Sequence, residues 1–452
     1  MNEFLGRDRE LAVLEDLHES GRPELYVLYG RRRVGKTELL QRFCSGRRAV
    51  YFQAAQVRDK DNLSAFKDAV KDGLADPLVD AVEFPDWPAA LSFASQRAGD
   101  ERLVVVLDEF PYLCEANKGL PSLLQRFWDS AGKQSNLMLV LCGSQVSFME
   151  REVLAERSPL FGRRTAQRRL EPLRPKDALA FFEGWDLGAR LEALGILGGM
   201  PAYLRRFATG TESKPRDVRA NVLREILRPE GYLFDEVQFL LRTEMSAPAT
   251  YNSILHAIAR GSERVGDVAL SVGIDSTTAN RYLSVLRELG LVERAVPLTD
   301  PDPLRSRRGV YRIADPFLTF HFRHVQPHLS LIQADRGERV FDEQVAPDLP
   351  NLRADAVLEL VLDHLRREAA EVLGSEVIEV GRHSGACVRA LARLSDGSLV
   401  AAIVREAEDT AADTLEEELA ALRALEQGEL ARLRYTLTDR CDAPLRVERP
   451  KR

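Results

Sequence analysis

Residues 30–37, GRRRVGKT, follow directly on the short apolar run 24–29 and constrain the fold more than any other stretch of this 452-residue chain. The run is rich in Val, Leu and Tyr, which suits a buried strand of a parallel sheet. After Thr37 the segment ELLQRFC carries apolar residues at helical spacing, with no glycine or proline to break it. Strand, glycine loop and helix in that order are the context in which G-x-x-x-x-G-K-T reads as a P-loop, a phosphate cradle. Gly30 and Gly35 let backbone N–H groups curl around phosphate oxygens, and the helix N-terminus adds partial positive charge there. Lys36 is expected to reach the β- and γ-phosphates of ATP, and the Thr37 hydroxyl to ligate Mg²⁺. Arg31, Arg32, Arg33 and Val34 complete the loop. The three arginines stay open between phosphate screening, contact with a neighbouring domain, and solvent.

Such a loop needs a metal-side acid on a neighbouring strand. The run 103–107, LVVVL, is fully apolar, and Asp108 and Glu109 follow at its C-terminal edge, where ligands of open α/β sheets collect. Asp108 is assigned to Mg²⁺ through water, and Glu109 to polarising the attacking water. A third apolar run, LMLVLCGSQ at 137–145, ends in Ser144 and Gln145, either of which is placed to sense the γ-phosphate, unless the serine only forms a turn. Arg163 and Arg164 precede a further strand. They read either as a finger on the γ-phosphate, from the same or an adjacent subunit, or as a solvated basic turn.

The length allows about three domains, and 45% hydrophobic with 29% charged residues describes an ordinary globular chain. No run approaches the ~18 consecutive apolar residues of a membrane span. The N-terminus, MNEFLGRDRE, alternates acid and base and is no signal peptide. Cys44, Cys114, Cys142, Cys387 and Cys441 are scattered without paired spacing, which argues for a reducing cytoplasm and against structural zinc. A net charge of −7 means that any nucleic-acid contact has to come from a local basic patch.

From Phe4 to about Pro172 strands and helices alternate as in a doubly wound sheet. Gly6, Arg7 and Asp8 open the first helix, and Arg7 is counted with the nucleotide-contacting residues. RAVYFQA at 48–54 makes the second strand. Residues 173–243 read as helices with short breaks, and Gly198, Gly199 and Pro201 interrupt them. That interruption is either a lid placing Pro201 and Tyr203 against the base or an ordinary interhelix turn. Residues 244–330 contain a winged helix-turn-helix pattern. The helices are YNSILHAIAR, RVGDVALSVG and TTANRYLSVLRELG, the last capped by Ser276 or Thr277. The strands LVERAVPL and GVYRI then flank a wing, TDPDPLRSRR. Thr277, Thr278, Asn280 and Arg281 stand where a recognition helix meets base edges, and Arg305, Arg307 and Arg308 where a wing meets phosphates. The module serves either DNA contact or internal packing.

In their order along the chain, FLGRDRELAVL, LYGRRRVGKTELL, VVVLDEFPYL, LCGSQ, SPLFGRRT, GGMPAYL and RIADPFLTFHFR closely resemble the archaeal-type ATPases. These are AAA-like P-loop proteins related to the STAND signalling ATPases. The resemblance covers essentially the whole chain. It implies an ATPase core over 1–172, a helical lid over 173–243, a winged helix over 244–330, and over 331–452 a domain similar to the PD-(D/E)XK nucleases. Carried over by position, Lys36 and Thr37 match the phosphate and Mg²⁺ residues, Asp108 and Glu109 the acidic pair, and Ser144 the sensor.

The C-terminal domain departs from that pattern. Its two central strands are CVRALARL and SLVAAIVRE, joined by the hairpin SDG. The first acid position falls near Arg389, and the acid-x-lysine triplet becomes Ile403, Val404 and Arg405. Glu406 and Glu408 follow among acidic neighbours, as in a solvated turn. A nuclease-like fold without its metal site is therefore expected. The chain reads as an ATP-controlled switch acting on DNA, on a protein partner or through self-association. The alternatives are an ATP-dependent DNA nuclease or remodelling enzyme, and a transcription factor with a vestigial ATPase.

Overall fold

The computed structural model describes residues 4–208, 217–300, 302, 305, 306, 308–383, 385, 387–405, 419, 420, 422, 430–438 and 444–448. The chain divides into two units, Met1–Pro172 and Leu173–Arg452.

In the first unit, β1 (Glu24–Tyr29), β2 (Ala49–Gln53), β3 (Leu103–Asp108), β4 (Leu137–Gly143) and β5 (Ala166–Arg169) form one sheet in the order β2-β3-β4-β1-β5. All neighbours are parallel. Every residue of β1, β3 and β4 is buried, which is why these three read as unbroken apolar runs. β2 and β5 carry the polar residues suited to edges. Tyr29 lies level with Gly143 and Leu107 with Leu141, so the C-terminal ends of β1, β4 and β3 finish side by side. The helix Lys36–Cys44 starts at that edge.

The second unit opens with helices, among them Pro175–Leu179, Leu187–Leu197, Pro201–Ala208, Val218–Glu225 and Glu236–Glu244. The helices Pro248–Ala259, Val265–Val272 and Ser276–Glu288 come next, followed by an antiparallel ribbon of β6 (Val292–Ala295) and β7 (Val310–Ile313). The cap of Ser276–Glu288 is Asp275, whose carboxylate accepts the Thr278 N–H, rather than Ser276 or Thr277. Asp outranks Thr as a cap because its acceptor is charged and sterically free.

β8 (Val377–Arg382), β9 (Val388–Leu394), β10 (Leu399–Arg405), β11 (Leu430–Leu437) and β12 (Leu445–Glu448) form a second sheet in the order β12-β11-β10-β9-β8. Only β10 and β11 run parallel. One core includes Leu358, Val361, Leu362 and Leu365 of the helix Leu349–Arg367 with Ala390, Ala392, Val400 and Ala402. A second core gathers Val388, Leu391, Leu399, Ala401 and Ile403 with Leu298, which roots the wing in the sheet. Arg393 strengthens that root by donating to the Leu298 carbonyl at 2.9 Å.

Candidate nucleotide site

The loop after β1 closes because three of its residues take a left-handed or related backbone: Gly30 at φ 154°, Arg33 at 68° and Gly35 at 97°. Gly30 is fixed by more than its φ. A Cβ there would stand 2.4 Å from the carbonyl oxygen of Leu170, whose own N–H donates to Tyr29. Arg7 is buried and donates to the carbonyls of Val34 and Glu171, both at 2.9 Å. It therefore acts on the backbone of the loop. Among the arginines Arg31 is buried and Arg32 exposed, while Val34 is fully buried. Lys36 is buried, and its ammonium donates to the carbonyls of Gly30 at 2.8 Å and Arg31 at 3.1 Å, at the mouth of the loop.

Asp108 is fully buried at the end of β3. Its Oδ2 accepts the Thr37 hydroxyl at 2.8 Å and the Tyr51 hydroxyl at 2.6 Å, and its Oδ1 accepts the Glu109 N–H at 2.9 Å. Such donors satisfy the hydrogen-bonding capacity that burial would otherwise leave unmet. Burial and the adjacent carboxylate push the Tyr51 phenol well above its ordinary value, so it holds its proton and donates. The same two causes push up the Cys142 thiol, which sits in β4 as a protonated core residue. Glu109 occupies the left-handed region at φ 53°, ψ 44°, a strained setting for a residue with a Cβ. Its Oε2 accepts the Ser144 hydroxyl at 2.7 Å. Gln145 turns instead to Glu115 at 3.2 Å, so Ser144 alone of that pair meets the acid.

The structure thus brings Lys36, Thr37, Asp108, Glu109 and Ser144 to one sheet edge. The Thr37 hydroxyl and Asp108 carboxylate are adjacent hard oxygen donors, a set that fits Mg²⁺, which takes one or two protein oxygens and completes its shell with phosphate and water. Among the described residues no cluster of three His, Cys, Asp or Glu side chains suited to a metal occurs.

Arg163 and Arg164 are elsewhere. β5 pairs from Ala166 with Tyr26, and the Thr165 N–H meets the Leu25 carbonyl, so both arginines precede the start of β1 while the loop follows its end. Six residues of strand separate those ends by roughly 20 Å. Arg163 is held by Asp129 at 2.8 Å, and Arg164 donates to the Leu154 carbonyl at 3.1 Å. The finger from the same subunit is therefore corrected, because the intervening strand is too long for either guanidinium to bridge. In the second unit Pro201 is buried at the start of its helix. Tyr203 is buried against Phe317 at 4.9 Å between ring centroids and donates to Glu236 at 2.7 Å. The Tyr203 ring belongs to that core and is not free to meet a base, as an interhelix packing role requires.

Thr277, Asn280, Arg281, Arg305 and Arg308 are exposed, whereas the Thr278 hydroxyl is spent on Asp275 at 2.6 Å. Arg307, Glu406, Glu408 and Cys441 lie outside the described residues. On the second sheet Arg389 is exposed, and Ile403 is buried among apolar side chains, where no metal ligand is possible. Sequence reasoning missed Tyr51 and the brace from Arg7. Alternation along β2 puts Tyr51 on the Asp108 side only once β2 is known to pair with β3, which no local signal reveals.

Residues 4–207 match the ATPase domain found predominantly in Archaea, and residues 253–295 the IclR helix-turn-helix domain. An uncharacterized protein of Methanocaldococcus jannaschii is 33% identical over 348 residues, spanning 76% of this chain and 73% of its own. An uncharacterized ATP-binding protein of the same organism is 42% identical over 45 residues, 10% of this chain and 76% of its own. Among solved structures, a Walker-type ATPase of Pyrococcus abyssi aligns over 71% of this chain and 96% of its own, with a TM-score of 0.53 and 21% identity, a likeness of fold. No helix among the described residues is long and apolar enough to cross a membrane.

Proposed function

Since the chain belongs to the family of ATPase domains found predominantly in Archaea, we propose that it is an ATP-controlled switch whose nucleotide state governs binding of duplex DNA through the winged helix. The observation that carries this reading is the convergence of Thr37 with Asp108 at 2.8 Å and of Ser144 with Glu109 at 2.7 Å beside the Lys36 ammonium.

Each residue has a distinct task. Lys36 exchanges its loop carbonyls for phosphate oxygens, and the N-terminus of Lys36–Cys44 adds its dipole. Thr37 and Asp108 would hold Mg²⁺, which neutralises charge on the phosphates when bound. Glu109 orients the attacking water and accepts its proton, with one oxygen held by Ser144 and the other left for the water. A finger role for Arg163 or Arg164 requires an adjacent copy of the chain.

The division into core 1–172, lid 173–243, winged helix 244–330 and C-terminal domain 331–452 belongs to the same proposal. The last is read as an inactive nuclease-like platform, supported by the exposed Arg389 and the buried Ile403. The test is ATP hydrolysis with and without duplex DNA in wild type and Lys36→Ala. Hydrolysis that duplex alters in wild type, and that Lys36→Ala lacks, is expected. Full activity in Lys36→Ala overturns the site, and a wild-type rate indifferent to duplex overturns the coupling to DNA.

A further inference from the structure

Resting on that reading of the site, we propose that Tyr51 is a positioning residue which fixes the carboxylate of Asp108 and so sets the affinity for the divalent cation. Tyr51 lies opposite Val106 in the parallel pairing of β2 with β3, two residues short of Asp108 on the same face. Its long ring spans that gap and brings the hydroxyl to Oδ2 at 2.6 Å.

A carboxylate oxygen has two lone pairs, and on Oδ2 one takes the Thr37 hydroxyl and the other the Tyr51 hydroxyl. The acceptor capacity that Asp108 keeps for a metal-bound water therefore lies on Oδ1, already oriented by the Glu109 N–H. Thr37 is itself expected to turn toward the cation, so its grip on Oδ2 depends on the state of the site. Tyr51 is not expected to ligate the cation. Its phenol is the donor that holds the carboxylate plane in both states. Without it a fully buried carboxylate loses one strong donor and gains a rotation that turns a different lone pair toward the metal.

Tyr51→Phe removes one oxygen and keeps the ring in place. The measurement is binding of a fluorescent ATP analogue, first in EDTA and then as Mg²⁺ is titrated in, together with hydrolysis over the same titration. The variant is expected to bind the analogue in EDTA within about twofold of wild type. The Mg²⁺ concentration for half-maximal effect should rise roughly ten- to a hundredfold, as losing a hydrogen bond to a charged group implies. Hydrolysis at saturating Mg²⁺ should return close to the wild-type rate. Superimposable Mg²⁺ titrations overturn the proposal, and so does an equal loss of binding with and without Mg²⁺, which marks a merely structural tyrosine. Failure of the wild type to bind the analogue at all would instead refute the nucleotide site.

Discussion

β3 of the first unit and β10 of the second are both apolar strands inside five-stranded sheets, yet the side chains they bury differ. β3 ends in a buried carboxylate that three hydrogen bonds stabilise, from Thr37, Tyr51 and the Glu109 backbone. β10 places the apolar Ile403 in a core of other apolar side chains. The cost of burying charge decides the difference. A carboxylate is kept in a sheet only where neighbouring elements supply donors, as they do around Asp108.

The largest expected contrast between the two regions is functional. Lys36→Ala should weaken ATP binding on the order of a hundredfold or more, because charge-assisted contacts to phosphate are lost. Equilibrium binding of labelled ATP checks this. The wild type should cut no duplex with Mg²⁺ or Mn²⁺ in either nucleotide state, and metal-dependent cleavage that disappears on replacing Glu406 or Glu408 would break the comparison.

Gly30→Ala should destabilise the first unit by about 3 kcal/mol in chemical denaturation, since the new Cβ meets the backbone oxygen of Leu170 at 2.4 Å, within hydrogen-bonded strand ends that cannot yield.

Buried polar groups sharpen the contrast in another way. Both carboxylate oxygens of Asp108 accept hydrogen bonds, whereas among the described residues neither ring nitrogen of His321 has a hydrogen-bond partner. Burial alone lowers its pKa from 6.5 to about 4. Between those values the unfolded chain binds a proton that the folded chain refuses. The contribution is therefore complete above pH 6.5 and is lost as pH falls toward 4, by up to about 3 kcal/mol. Urea melts across that range should show the excess slope in wild type and not in His321→Leu.

The smallest effect concerns the wing. Arg305→Glu with Arg308→Glu should weaken duplex binding several-fold across all sequences and flatten the salt dependence by about 1 per arginine. Unchanged titrations at low salt would mean that this exposed tip faces protein.

The two regions also differ in how far their residues could be read from sequence. Gly30, Gly35, Lys36 and Thr37 act within one loop, so their spacing alone carries the geometry. Asp108, Glu109 and Ser144 each end an apolar run and were legible as strand ends. Tyr51 was not, because its partner lies 57 residues away and the register of β2 on β3 is a tertiary fact. The cis finger failed for the same reason: whether Arg163 stands before or beyond the loop depends on the direction of β5 in the sheet. The helix cap is Asp275 rather than Ser276 or Thr277 because the helix begins one residue earlier, with Asp275 extended and accepting the Thr278 N–H. In the second sheet Ile403 and Arg389 are legible as a hydrophobic and a cationic side chain, neither of which is a metal ligand in any register, and the lost nuclease site remains part of the proposal.

The central claim is that the β3 end performs chemistry on ATP, and Glu109→Gln tests it most directly. Glutamine keeps an oxygen that accepts the Ser144 hydroxyl, so the geometry at 2.7 Å should survive while proton acceptance is lost. The measurement is ATP binding and single-turnover hydrolysis on the same sample. Binding close to wild type with hydrolysis reduced at least about a hundredfold is the predicted result. Hydrolysis at the wild-type rate would contradict the account.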